Sequence, residues 1–338
     1  MPRFFANSSK QQFITSSAIV LLVALGSWGF LVHRTIHQIS IYSLPKPLQL
    51  FFGSEMDYLV YNSVRPDVRR KDDPKEETKH FIDGDAPVFG KEGLDNIPHK
   101  WEDAVKKYSE DTLRKYGTVP WEVLWLKDKL TNAFKNKQKD SILYYAADMG
   151  HYISDAHVPL HTSYNYDGQL TNQKGLHSLW ESTVPELHFD SYNLYQKHKA
   201  HYLKNPEAEI WKVAQKSSEM LKAVFEEEIK ASEGFTEAQK FKRSERFGQM
   251  RKNYTPEFAK AYAKRLGNSV NERLLESSQC VADFWYTCWV DAGRPDLSDM
   301  TKNIDATKEK IKTESKAWKK NELLKNGLLQ SRKSTPEN

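Results

Sequence analysis

Residues 151–181 read HYISDAHVPLHTSYNYDGQLTNQKGLHSLWE, and this stretch decides how the rest of the chain is read. His151 and Asp155 are four apart, so on a helix they share one face. His177 and Glu181 repeat that spacing. Between the pairs, Val158-Pro159-Leu160-His161 ends the first helix, because proline lacks an amide donor and restrains the residue before it. His161 therefore follows a helix end on a turn of fixed shape. Residues 162–175, rich in Asn, Tyr, Gln and Gly, return the chain for the second pair. Imidazole and carboxylate together bind zinc and similar divalent ions. One such pair is common on helices; two flanking a Pro-Leu-His turn make a specific pattern.

HYISDAHVPLH followed by GLHSLWE resembles the core motif of the superfamily that joins bacterial zinc-dependent phospholipases C with fungal and plant single-strand-specific nucleases. Its members are all-α and hydrolyse phosphate esters with three zinc ions. The resemblance implies further ligands upstream, and candidates stand there. Trp28 and His33 match the mature N-terminus of the nuclease branch, where a free Trp amine and carbonyl chelate zinc beside a His. Asp67 and His80 match an Asp and His lying a short loop apart. The implied set is Asp67, His80, His151 and Asp155 for one ion and His161, His177 and Glu181 for the second. Trp28, His33 and a bridging Asp155 take the third. Asp67 would also accept a proton from the attacking water, and Arg70 would offset charge on the phosphoryl oxygens. Phe81 and Asp83 resemble base-contacting residues of the nucleases; core packing and loop capping account for them equally well.

The substrate class stays open. Glu181, where the phospholipases have Glu and the nucleases Asp, and the short spacing from His161 to His177 favour a phospholipase C-like enzyme. The Trp28–His33 spacing, Phe81-Ile82-Asp83 and Trp180 favour a nuclease. A non-catalytic, zinc-stabilised exported domain is the third reading. The expected partner is a phosphodiester substrate, phospholipid or single-stranded nucleic acid, and no obligate protein partner is implied.

Composition sets the frame. The 338 residues suffice for one large domain or two small ones, and a net charge of +5 suits anionic substrates without requiring nucleic acid. Cys280 and Cys288 are separated by about 12 Å of helical rise, too far for a disulfide, and read as core thiols. The eukaryotic members of the superfamily carry disulfides, so a chain without one resembles the bacterial type.

Residues 1–27 read as an export signal: Arg3 and Lys10, an apolar core at 19–25, then Gly26-Ser27. Export to periplasm or medium follows. The alternative is an uncleaved membrane anchor, since 14–32 is about long enough to span a bilayer. Cleavage before Trp28 supplies the free amine that the resemblance requires. Residues 28–297 form the expected hydrolase domain. Helices are predicted over 100–115, 121–135, 140–155, 206–232 and 256–292, which makes the fold all-α. Residues 63–77 read as a charged, solvated loop. Residues 298–338 are Lys-rich and read as a marginal helix and a disordered tail. A solvated tail accounts for that composition, and peripheral contact with an anionic membrane is the other use for it. His37 reads as an ordinary helix residue beside the site. His157 lies inside the motif at a position the family does not use as a ligand. His99, His188, His198 and His201 have no partner at ligand spacing and read as surface or core residues.

Overall fold

A computed structural model describes residues 29–246 and 249–333, without the side chains of 244–251. The export signal predicted over 1–27 and the Trp28 ligand lie outside the described residues. The chain is mostly helical. It opens with α1 (Phe30–Tyr42), α2 (Lys46–Ser54), α3 (Met56–Asn62) and α4 (Arg65–Arg69). Helix α1 is buried almost all round, from Val32 to Tyr42, as a central helix must be. Pro45 stops its continuation, and Pro47 and Pro66 occupy the first turns of α2 and α4, where a missing amide costs nothing.

A single helix expected over 100–115 is two, α5 (Trp101–Tyr108) and α6 (Glu110–Lys115). Ser109 adopts φ 68° between them and caps α6 through its side chain. Next come α7 (Val119–Lys135) and α8 (Lys139–Ala156), packed along each other. A helical turn α9 (Leu176–Ser178), a π-type turn at Leu179–Thr183 and α10 (Val184–His188) carry the second half of the motif. After an irregular segment the chain forms α11 (Pro206–Ser232) and α12 (Glu237–Lys240). The antiparallel hairpin β1 (Phe241–Arg246) and β2 (Gln249–Tyr254) follows, an element the helical reading did not contain. The helix expected over 256–292 is also two, α13 (Pro256–Leu266) and α14 (Ser269–Asp291), parted at Gly267 with φ 59°.

Helix α14 lies against α1, α7 and α8. Trp285 on it is fully buried; its indole N–H donates to the Ala146 carbonyl at 3.0 Å, and its ring meets His37 and Phe52. Both cysteines are buried and free.

The described part of the predicted C-terminal tail, through Lys333, is instead packed on the body. Helix α15 (Ile304–Lys319) buries Ile311, Ala317 and Trp318, and Leu323 and Leu329 follow them into the core. Gly53 on α2 makes room for it: a Cβ there would stand 2.8 Å from Ile311 Cδ1. The Trp318 indole N–H donates to the Leu194 carbonyl at 2.5 Å, and Tyr42 of α1 donates to Glu314 at 3.0 Å. Beyond the helix, Gln38 of α1 donates to the Leu328 carbonyl and accepts from the Gln330 amide. Lysines dominate the segment, but Ile311, Ala317, Trp318, Leu323 and Leu329 are all buried.

Trp318→Ala is therefore expected to cost about 3–5 kcal/mol of unfolding free energy, the range for emptying a buried indole site. Denaturant unfolding reads it. A loss within about 0.5 kcal/mol, the ordinary surface value, would mean that 298–338 is a dispensable appendage.

Candidate metal centre

Helix α8 presents His151 and Asp155 on one buried face, with neither side chain exposed. Around Asp155 three imidazoles converge. His80 Nδ1 lies 2.8 Å from Oδ2, His151 Nε2 3.2 Å from the same oxygen, and His33 Nε2 of α1 3.4 Å from Oδ1. The His33 and His151 rings stack at 4.2 Å. Asp67, in the first turn of α4, points Oδ1 at His80 Nδ1 and His151 Nε2, 3.8 and 3.9 Å away. A second cluster adjoins it: Glu181 Oε2 stands 3.0 Å from His177 Nε2 and 3.4 Å from His161 Nε2.

Local structure explains these placements. The Pro159 turn directs His161 back so that its Nδ1 donates to the His80 carbonyl at 2.6 Å. Ile82 and Gly84 donate to the carbonyls of His161 and Thr162, which fixes the segment after His80. His151 Nδ1 donates to the Ser63 carbonyl at 2.8 Å. A carbonyl only accepts, so in His151 and His161 Nδ1 carries a proton and Nε2 faces the cluster, where it can hold a second proton or, as a lone pair, an ion. His37 is buried behind His33, its ring nitrogens 2.9 and 3.0 Å from the carbonyls of His33 and Ala147. Burial outweighs both carbonyls and holds its pKa at about 3, so it braces the site as a neutral ring. Gly150 leaves its space, since a Cβ would lie 2.4 Å from His37 Nε2.

The electrostatics call for a cation. Burial opposes charge on Asp155, yet His151 and His161 hold it well below the usual carboxylate range. Burial is likewise outweighed at Glu181, held at about 2 by His177 and His161, and at His161, raised to about 9 by Asp155 and Glu181. His80, where burial wins, falls to about 4, and His33 is lowered by burial and by His151. Several buried atoms make no hydrogen bond: His33 Nε2, Asp67 Oδ2, His80 Nε2, His177 Nε2 and Glu181 Oε2. An orphaned buried polar atom costs about 1–3 kcal/mol, and these are all atoms of metal-ligand type; His33 Nε2 faces Asp155 and His177 Nε2 faces Glu181, while His80 turns Nδ1 to the cluster and Nε2 toward Glu76. Their donor atoms fall into three sets that could each hold an ion: His33, His151 and Asp155; Asp67, His80 and His151; and His161, His177 and Glu181.

The structure thus brings together His33, Asp67, His80, His151, Asp155, His161, His177 and Glu181. Gly29, the first described residue, sits against Ser182, next to Glu181. Arg70 reaches Asp67 Oδ1 at 2.8 Å and is partly exposed. Phe81 is half-buried, its carbonyl accepting from Val119. Asp83 is buried, and burial with neighbouring Asp85 pushes its carboxyl up to about 7 against the pull of His161. His157 stays outside the cluster, its Nδ1 2.7 Å from the Ile153 carbonyl.

Two features escaped the sequence. The stretch 63–77 is not a solvated loop. Arg65 donates twice to Asp148 of α8, Arg69 donates to Asp148 and to Glu76, and Tyr152 donates to Glu76. Glu76 is fully buried; Arg69, Lys79 and Tyr152 overcome that burial and hold its carboxyl at about 2. This network clamps α4, and so Asp67, to α8. Second, His198 and His201 do have a partner, Asp283, 82 residues or more away.

No protein-family model matches this chain, and no curated protein does.

Stripping the purified protein with a chelator and returning zinc is expected to raise its thermal midpoint. Ligand at about 100 times its dissociation constant contributes about 2.7 kcal/mol, or roughly 4 °C for a chain of this size. An unchanged midpoint would mean that imidazolium–carboxylate pairing alone satisfies the cluster.

Proposed function

We propose that this chain is a zinc-dependent phosphoric diester hydrolase of the phospholipase C and single-strand nuclease superfamily. The observation that carries the reading is the convergence of buried, orphaned imidazole and carboxylate atoms on Asp155 and Glu181. Asp67, His80, His151 and Asp155 would hold one zinc, and His161, His177 and Glu181 a second. His33 and Asp155 would hold a third together with the amine and carbonyl of Trp28. Gly29 beside Ser182 supports that arrangement, because it brings the chain start to the Glu181 side of the cluster. The reading also carries export, with the signal removed before Trp28 to free the amine.

Zinc ions, when bound, neutralise the phosphodiester's charge and bring the pKa of water toward neutrality. The protein groups do the rest. Asp67 keeps Oδ2 free of hydrogen bonds and is the candidate to take the water's proton. Arg70 stands beside it with solvent access, placed to meet charge on the phosphoryl oxygens. Asp155, which lies against His33 with one oxygen and His80 and His151 with the other, would serve as a ligand to two of the ions.

A phospholipase C-like activity is the preferred substrate reading. Tyr164, Tyr166 and Leu170 are exposed on the loop that returns to His177, and the Tyr166 ring lies 5.9 Å from the His177 ring. An apolar lip beside the half-buried ligand suits a lipid. One observation favours a nuclease. Asp83, pushed up to about 7, is partly protonated at neutral pH and can donate to a base beside Phe81.

The test uses zinc-loaded protein beginning at Trp28, assayed on phosphatidylcholine vesicles, single-stranded DNA and RNA. Asp155→Asn is expected to lower both zinc content and hydrolysis, the latter by roughly 100-fold or more, since even outer-shell partners of metals cost 10–100-fold. Full zinc and full activity in that variant would sink the assignment. Full zinc in the wild type without hydrolysis of any substrate would leave a non-catalytic zinc-stabilised domain. One residue added before Trp28 is expected to remove the third zinc.

A further inference from the structure

The segment between α10 and α11 has little regular structure after Ser191, yet it is fixed in place. Helix α14 holds it at three points. Asn271 accepts from the Asn193 amide, Asp283 from the His201 amide at 2.8 Å, and Thr287 from the Leu203 amide at 2.9 Å. At the middle point the side chains also converge. His198 Nε2 lies 2.9 Å from Asp283 Oδ1, and His201 Nδ1 lies 3.1 Å from Oδ2. The ring centroids are 5.7 Å apart. All three ligand atoms fall within 4.8 Å of one another.

We propose that His198, His201 and Asp283 form a further site for zinc or a similar divalent ion, which clamps the 192–205 segment onto α14. Four lines of chemistry support it. First, two imidazoles and a carboxylate are a zinc ligand set, and bonds of about 2.0–2.2 Å would put neighbouring ligand atoms about 3.3 Å apart. The two nitrogens stand 2.9 and 3.1 Å from different oxygens of Asp283 and the ligand atoms lie within 4.8 Å of one another, so an ion would draw the imidazoles together by at most about 1.5 Å. Second, Asp283 is buried at 5 % exposure and its Oδ1 already accepts the His201 amide. A backbone donor that orients a ligand carboxylate is the outer support metal sites use. Third, the residues line a cavity of about 370 Å³ that also contains Glu209 and Cys280, so a fourth position faces open space. Fourth, the His201 side chain is 64 % exposed, and an ion can enter from that side. Without an ion His198 hydrogen-bonds to Asp283 Oδ1, and His201 Nδ1 rests 3.1 Å from Oδ2. With an ion each ring turns a lone pair inward and carries its proton on the other nitrogen.

The site is separate from the cluster at Asp155 and does not rest on the activity proposed above. The full chain, stripped by chelator, reloaded with zinc alone and passed through gel filtration, is compared with H198A/H201A and with H201A. Metal is counted by mass spectrometry. The wild type is expected to hold one zinc more than either variant, with a larger zinc-induced rise in thermal midpoint. His201 is largely exposed, so H201A decides the question even if the double variant does not fold. Equal zinc content in wild type and H201A overturns the proposal and leaves a hydrogen-bonded latch. The difference is read against whatever the Asp155 cluster holds, so failure of the hydrolase reading leaves this result intact.

Discussion

A carboxylate with no solvent exposure must be met by positive charge, and Asp155 is the point where the molecule meets that demand. Its two oxygens face three imidazoles from three separate parts of the chain: His33 from α1, His80 from the loop after α4, and His151 from one turn earlier on α8. Burial alone would protonate the acid or expel it. Instead the surrounding histidines keep it charged, and their ring nitrogens crowd together in doing so. His151 Nε2 and His80 Nδ1 approach to 3.1 Å. A divalent ion would relieve that crowding, because one ion can serve several nitrogen lone pairs at once.

The scaffold is built to keep those segments from drifting apart. Helix α1 must be rigid to deliver His33, and it is enclosed from Thr35 to Tyr42. His37 fills the gap left by Gly150 on α8, and Ser40 donates to the Ser278 carbonyl of α14. Gln38 and Tyr42 are tied to the C-terminal segment. The Asp67 side is held by charge rather than packing. Arg65 and Arg69 on α4 reach across to Asp148, and Glu76 ties Arg69 to Tyr152. These pairs are largely withdrawn from solvent, where truncating one partner strands the other's charge and costs about 3–5 kcal/mol.

What could be read beforehand follows from sequence distance. The pairs His151–Asp155 and His177–Glu181 are legible because a helix converts a spacing of four into a shared face. The Pro159 turn is legible because proline acts locally. Helix breaks at Ser109 and Gly267 are not, since the amphipathic pattern runs through both and only one residue's positive φ interrupts it. Composition shows a helix in the C-terminal segment but not its packing, because it averages over the lysines while burial is decided by Ile311, Trp318, Leu323 and Leu329. Arg65 with Asp148, and His198 with Asp283, are 83 and 85 residues apart, so no local period reports them. Asp67 and His80 lie between these cases. Resemblance suggested them, but only the fold shows why a charged stretch turns inward there, with Asp148 and Glu76 drawing the arginines down.

The cluster is graded in burial, and the gradient orders its parts. His33, His151 and Asp155 are sealed, His80, His161 and Glu181 nearly so, and His177 is the member most open to solvent. Asp67 sits between them under the partly exposed Arg70. A substrate on the proposed reading must therefore arrive from the side of His177, Tyr166 and Arg70, while the charge at Asp155 stays dry. That separation is useful. The sealed end is held at low dielectric, where it cannot be screened by salt, and it fixes the positions on which everything nearer the surface depends. The open end needs room for exchange, and the exposed loop at 163–175 supplies it. Stability and access are thus assigned to opposite ends of one cluster, with the α8 face running between them.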